Sequence, residues 1–403
     1  MRRVRGKSGS LASLREGNRR RVIDALRECG SASRADLSRM TGLSRSTIST
    51  LVADLLDSGL AGERNGHPDG AAHAGRPPVM VSLNERAGIA LGIDFGHRHL
   101  RVAVSDLSHT VLAETWREMD VDHSAEHGLD AAAEFVEQVL AESGASRSRV
   151  IGVGMGLPAP IDRESGAVQA ASILPGWVGV DAAAEASGRL GMPVKVENDA
   201  NLGALAELMW GAAKGRTEVA YIKVSTGIGA GLVSDGRLQH GVGGTAGEIG
   251  HTLVADGGPV CRCGNRGCLE TLASSRAIAG LLSDSRREEI SSRRLMELCE
   301  AGDSAAQRLI GDAGRAIGLA VANLCNLVNP KCVIVGGDLS AAGEVLLGPR
   351  RETVRRHAIP SAVEDLGVVA GMLGERAELL GALALVMHES ERFESRELLK
   401  DAA

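Results

Sequence analysis

The stretch Ile89-Ala90-Leu91-Gly92-Ile93-Asp94-Phe95-Gly96, leading into Leu100 to Val104 and Asp106, reads as an apolar strand, a glycine turn and a second apolar strand. The plan returns at Val219-Ala220-Tyr221-Ile222-Lys223-Val224-Ser225-Thr226-Gly227-Ile228-Gly229-Ala230-Gly231-Leu232-Val233-Ser234-Asp235. Two copies of one hairpin, each opening a series of strands and helices, predict two similar α/β lobes with a cleft between them. Between the copies, periodicity predicts a helix over Leu129 to Ser143, a strand over Val150 to Gly156 running into Leu157-Pro158-Ala159-Pro160, and a strand over Val194 to Glu197. That last strand delivers Asn198 and Asp199 at its carboxyl end, where polar groups face the ligand crevice of an α/β fold. A helix from Leu202 to Met209 follows. Beyond the second copy come helices near Arg276 to Leu282, Ser291 to Ala301 and Ala305 to Val328. A buried strand Cys332 to Val335 then turns at Gly336-Gly337-Asp338, and an apolar helix runs from Leu379 to His388.

The densest chemistry lies in Gly247-Glu248-Ile249-Gly250-His251 and Cys261-Arg262-Cys263-Gly264-Asn265-Arg266-Gly267-Cys268-Leu269-Glu270. Three cysteines and a histidine fall within eighteen residues, spaced by glycines that let the backbone fold around a point. Zinc takes thiolate and imidazole, and four protein ligands (His251, Cys261, Cys263, Cys268) would close its shell, which points to a structural ion rather than one that activates water. The other reading is a set of unrelated buried cysteines and a surface histidine. Glu248 and Glu270 flank the set, so a closed metal site would hold two carboxylates close to one imidazole. Such a group can grip vicinal hydroxyls, unless the acids are ordinary surface charges.

The amino-terminal part follows a different plan. Ser10 to Cys29 carries Leu14, Val22, Ile23 and Leu26 at helical spacing and stops at Gly30. A short helix from Ser33 to Thr41 closes at Gly42, and a third from Ser44 to Asp57 turns Ile48, Leu51, Val52, Leu55 and Leu56 inward. Short helices joined by a glycine turn describe a helix-turn-helix, with Arg34, Ser44, Arg45, Ser46, Thr47 and Ser49 placed to reach phosphates and base edges. Its alternative is a three-helix module that touches only protein. Leu60 to Glu63 and Val79 to Leu83 read as the strands of a wing whose loop ends in Gly75-Arg76-Pro77-Pro78. Arg76 can enter a narrow minor groove, or the segment is a plain linker.

Bulk properties bound these readings. At 403 residues with 44% apolar content, the chain can bury more than one core. Residues 1 to 64 hold 13 Lys and Arg against 7 Asp and Glu, a net of +6; within a chain at -6, the remainder stands at -12. A basic head on an acidic body suits a nucleic-acid partner for the head. Seven cysteines, an odd number, with Cys29, Cys299, Cys325 and Cys332 scattered, fit a reducing compartment and a metal better than a disulfide framework. No apolar run approaches a membrane span and no signal-peptide pattern follows the arginine-rich start, so the expectation is a cytoplasmic protein.

From Ala87 on, these residues together resemble the ROK family of bacterial sugar kinases and sugar-responsive repressors, and the amino-terminal helix-turn-helix resembles its repressor branch. The resemblance implies an actin-like (ribonuclease H-like) two-lobed α/β domain preceded by a winged helix-turn-helix. It implies that His251, Cys261, Cys263 and Cys268 hold zinc, and that Asn198, Asp199, Glu248, His251 and Glu270 bind sugar hydroxyls. The position matching Asp199 is the general base in the kinases. A family kinase carries a first phosphate loop of the type Asp-x-Gly-Gly-Thr-Lys, whereas this chain reads Asp94-Phe95-Gly96-His97-Arg98-His99, with bulk where the backbone must approach phosphate.

The expected organisation is a DNA-binding head over 1–84 and a ROK domain over 87–403. Lobe one spans about 87–205 plus the C-terminal helix, and lobe two about 206–375. The expected function is a sugar-responsive regulator whose partners are operator DNA and a monosaccharide or derivative, acting as a homodimer or homotetramer without a membrane. Asp199 would then be a vestigial base. The rivals are an ATP-dependent sugar kinase carrying a DNA-binding head, and a head that docks a protein partner.

Overall fold

The computed structural model describes residues 11–57, 60–65, 79–84, 88–107, 109–163, 165–168 and 172–387. Arg76 and the wing loop lie outside the described residues. Among those described, no helix is long and apolar enough to cross a membrane.

The head is built from helices Leu11–Cys29, Arg34–Thr41 and Arg45–Asp57 and from strands β1 (Ser31–Ser33), β2 (Ala61–Asn65) and β3 (Val79–Leu83). The second helix starts where Ser33 and Asp36 cap each other's backbone amides and ends at Gly42 in the left-handed conformation. The third starts at Ser44, whose hydroxyl accepts from Thr47 N at 3.2 Å. Val22, Ile23, Leu26, Leu37, Ile48, Leu51, Val52, Leu55 and Val81 form one closed core, with Leu56 packed against its edge. Each fully buried aliphatic side chain contributes about 1.5–3 kcal/mol. The wing pairs β2 with β3 antiparallel, and β1 adds a third strand on the other side of β3.

The body repeats one sheet plan. Strands β4 (Ile89–Gly96), β5 (His99–Asp106), β6 (Val111–Glu118), β7 (Val150–Leu157) and β8 (Val194–Asn198) order as β6-β5-β4-β7-β8. Strands β9 (Val219–Val224), β10 (Ile228–Ser234), β11 (Arg237–Leu238), β12 (Cys332–Gly336) and β13 (Gly367–Ala370) order as β11-β10-β9-β12-β13. In each sheet the first three strands meander antiparallel and the last two join parallel. The two similar α/β lobes expected from the repeated hairpin are present, in the actin-like plan that the family resemblance implied.

Each sheet has an outer core. Helices Ala125–Ser143 and Ala182–Leu190 cover the first, and Ser275–Arg286, Ser292–Glu300, Ser304–Val328 and Glu344–His357 cover the second. Two further helices lie between the sheets. The helix over 377–387 rests on sheet one so closely that a side chain at Gly154 would meet Ala382 O at 2.0 Å. The helix Asp199–Met209 rests on sheet two, where a side chain at Gly231 would meet Ala200 O at 2.5 Å. The division expected near 205 therefore falls inside a helix wedged between the lobes.

Local boundaries differ from expectation where a side chain caps a helix. Ser124 accepts from His127 N at 3.1 Å, so the helix expected from Leu129 begins at Ala125. Asn198 accepts from Ala200 N and Asn201 N, so the helix expected from Leu202 begins at Asp199.

Candidate metal centre and ligand cleft

His251 ends the single turn Ile249–His251, and Cys268 is the N-cap of the short helix Leu269–Ala273. Between them the chain folds back on itself, with Val260 bridging Arg266 and Leu253 bridging Cys268. Gly267, at φ 68, makes the return possible, since a side chain there would meet Ala255 O at 1.7 Å. The loop so formed brings His251, Cys261, Cys263 and Cys268 together, with one ligand atom from each lying within 4.8 Å of the others. His251 Nδ1 stands 3.5 Å from Cys261 Sγ, and Cys263 Sγ 3.7 Å from Cys268 Sγ. Ligands about 2.3 Å (sulfur) and about 2.0 Å (nitrogen) from a tetrahedral zinc ion lie about 3.5 to 3.8 Å apart, so these two edges fit. Burial, reinforced by the neighbouring thiols, pushes Cys268 up to about 12, while Cys263 is lowered, first by the Asn265 backbone amide. A divalent cation is what would let three crowded thiols ionise together. The residues present can hold a metal ion.

His251 turns its other nitrogen away from the sulfurs, with Nε2 3.8 Å from Glu248 Oε2. Glu248 is pushed up to about 7 by burial and then by the charges of Asp199 and Glu270, so three carboxylates converge here. Glu270 is buried, accepting from Arg262 Nε at 2.7 Å and from Ile228 N at 3.2 Å. Asp199 accepts from Ala200 N on one oxygen and from Lys223 Nζ at 2.8 Å on the other. Asn198 caps the helix with its oxygen and donates its amide to Ala159 O at 3.2 Å. The structure thus gathers Asp199, Glu248, His251 and Glu270 into one cluster. Asn198 stands beside them with its side chain engaged in capping.

Two residues escaped the sequence reading. Lys223 is 14% exposed and reaches Asp199 and, at 3.4 Å, Glu378 of the C-terminal helix; its signal was a lone charge in the apolar strand β9. Burial opposes its charge, but Asp199, Glu378 and Asp94 raise its pKa. Arg262, between two cysteines, neutralises Glu270.

The turn of the first hairpin is filled from within. The His99 imidazole lies over Gly96, where a side-chain carbon would meet its Cε1 at 2.2 Å, and its Nε2 is 3.0 Å from Asp94 Oδ2. His97 Nδ1 is anchored 2.7 Å from Asp122 Oδ1. His97, at the position of the second glycine of a phosphate loop, and His99, at the position of its lysine, are both committed to carboxylates.

In the head, Ser44, Arg45, Ser46 and Ser49 are exposed and Thr47 is half-buried beneath the Ser44 hydroxyl. Arg34 lies nearby, paired with Glu63 of the wing strand.

The ROK family model matches residues 90–389. The chain belongs to the ROK family. A winged helix-turn-helix DNA-binding model matches residues 15–60, so this ROK protein carries a head of the repressor type. It is 29% identical to the xylose repressor of Caldicellulosiruptor bescii over 96% of this chain and 99% of that one. It is 34% identical to a glucokinase of Thermotoga maritima over 73% of this chain and 96% of that enzyme. A crystal structure of a ROK family transcriptional regulator, a homologue of the E. coli MLC protein, superposes with a TM-score of 0.77 at 28% identity, covering 95% of this chain and 98% of that one. The kinase likeness stops short of the head; the repressor likeness includes it.

Proposed function

We propose that this ROK protein is a sugar-responsive transcriptional repressor. Its helix-turn-helix binds operator DNA, and a monosaccharide in the cleft changes that binding. The observation that carries the reading is the union, in one chain, of a winged helix-turn-helix with a polyol-type cleft, matched end to end by a repressor. Asp199, Glu248 and Glu270 supply acceptors for ring hydroxyls, and His251 Nε2 supplies a directed polar atom on the same wall. Asn198 sets the start of the helix that presents Asp199. Arg45, Ser46 and Ser49 face the major groove, with Ser44, Thr47 and Arg34 supporting contacts to phosphate. Two such heads on a palindromic site imply a symmetric oligomer.

His251, Cys261, Cys263 and Cys268 would hold zinc, which when bound would fix the loop and the ring of His251. Catalysis of phosphoryl transfer is disfavoured by what the chain itself does. His99 covers the Gly96 backbone that phosphate would have to approach, and Lys223 occupies the outer oxygen of Asp199.

The test is calorimetry of the full chain against xylose, glucose and N-acetylglucosamine, with and without ATP, and with zinc measured on the same sample and on Cys263→Ser. The expected result is binding of one sugar, no turnover of ATP, about one zinc per chain, and loss of zinc and sugar heat together in Cys263→Ser. ATP-dependent phosphorylation of a sugar would make the protein a kinase with a DNA-binding head. Zinc content unchanged in the variant would overturn the metal assignment.

A further inference from the structure

We propose that the helix Asp199–Met209 transmits the state of the cleft to the DNA-binding head through a contact formed by Trp210, His109, Lys214, Arg27 and Glu28. The proposal rests on the reading of the cleft as a sugar site. The helix starts at the ligand wall, since Asp199 is its first residue, and it is buried from Asp199 to Glu207. Eleven residues span about 16 Å, so its far end lies well away from the cleft. There Trp210 closes the last turn, donating its backbone N–H to Ala206 O and Glu207 O.

Trp210 packs edge-on against His109, with ring centroids 4.9 Å apart. His109 sits at φ 68 in the turn between β5 and β6, a conformation that non-glycine residues seldom adopt, and Asp106 pins that turn by accepting from Thr110 N at 2.8 Å. The head meets the same turn, where Arg27 donates to Leu107 O at 3.3 Å. One residue on, Glu28 pairs with Lys214 Nζ at 2.6 Å. Lys214 does not hang on a loose loop. Glu207, fully buried within the helix, accepts from Ala212 N with one oxygen and from Met372 N and Leu373 N with the other. The segment carrying Lys214 therefore moves with the helix.

The receiving element is rigid as well. Arg27 and Glu28 lie in the last turn of Leu11–Cys29, whose Val22 and Leu26 share a core with Ile48, Leu51, Val52 and Leu55 of the helix presenting Arg45. A tilt at Arg27 and Glu28 is thus a tilt of the DNA-reading surface. The route is a chain of packed elements, and both contacts at the junction are of the kind that can break and reform. The Glu28–Lys214 pair is more than half exposed on both sides, and His109 Nε2 has no hydrogen-bond partner among the described residues.

The experiment uses the full chain and a duplex that it selects from a random pool. Its DNA affinity is titrated with and without whichever of xylose, glucose or N-acetylglucosamine binds, and sugar affinity is measured separately. In Trp210→Ala and in Glu28→Lys, the sugar effect on DNA affinity should shrink from roughly tenfold towards threefold or less, with sugar affinity and sugar-free DNA affinity each held within about threefold. Adding Lys214→Glu to Glu28→Lys should restore the effect, a rescue that a general loss of stability would not give. A sugar effect of full size in both single variants overturns the coupling while leaving the repressor reading intact. No sugar effect in the unaltered chain overturns the repressor reading and the coupling with it.

Discussion

Arg350 is fully buried in the helix Glu344–His357, and none of its guanidinium nitrogens has a hydrogen-bond partner among the described residues. Burial, with Arg351 adding to it, pushes its pKa down to about 10. A buried unsatisfied cation costs more than an apolar side chain of similar volume. Arg350→Leu should therefore raise unfolding free energy by about 1–3 kcal/mol, seen as a higher thermal midpoint with sugar and DNA binding unchanged. A lower midpoint would mean that the guanidinium has a partner in solution. Lys223 is the opposite case: a half-buried cation paired with both Asp199 and Glu378 of the C-terminal helix.

At the level of elements, Arg45–Asp57 divides cleanly into a buried face and an exposed one. Ile48, Leu51, Val52 and Leu55 are at most 2% exposed, while Arg45, Ser46 and Ser49 face solvent. Because Arg45 contributes nothing to that core, Arg45→Ala should leave folding and sugar affinity untouched. It should lower operator affinity by about 1–3 kcal/mol, roughly 5- to 150-fold, in a fluorescence anisotropy titration. Unchanged affinity would remove this helix from the DNA interface. The helix Glu344–His357 shows the limit of local reading. Pro349 lies inside it, where it removes a backbone donor and interrupts the helical pattern, yet packing against Ser304–Val328 holds the segment helical.

Across the whole molecule, the proposed coupling runs between head and body through the Arg27–Leu107 hydrogen bond and the Glu28–Lys214 ion pair. Linkage makes this reciprocal: saturating the chain with selected duplex should change sugar affinity by the same factor by which sugar changes DNA affinity. Calorimetric titration of the sugar into the DNA complex measures it. Sugar affinity identical with and without duplex would mean that sugar and DNA bind independently, and would overturn the repressor reading.

The sequence by itself determined what depends on local pattern. The doubled hairpin at Ile89 and Val219 announced two sheets of one plan, the spacing of Cys261, Cys263 and Cys268 after His251 announced a metal loop, and glycine-closed short helices announced the head. It could not register contacts between residues distant in the chain. That Asp199 would be met by Lys223 of β9, that His99 would fold back over Gly96, and that Arg27 and Glu28 would reach Leu107 and Lys214 all depend on how lobes and head pack. The start of the helix at Asp199 shows the same division. Asn198 has the chemistry of a cap in the sequence, but only the fold aims its oxygen at Ala200 and Asn201 and its amide at Ala159. Periodicity records which side of an element is buried; tertiary structure decides what it is buried against, because side-chain charges and hydrogen bonds act over a few ångströms of space whatever their separation in sequence.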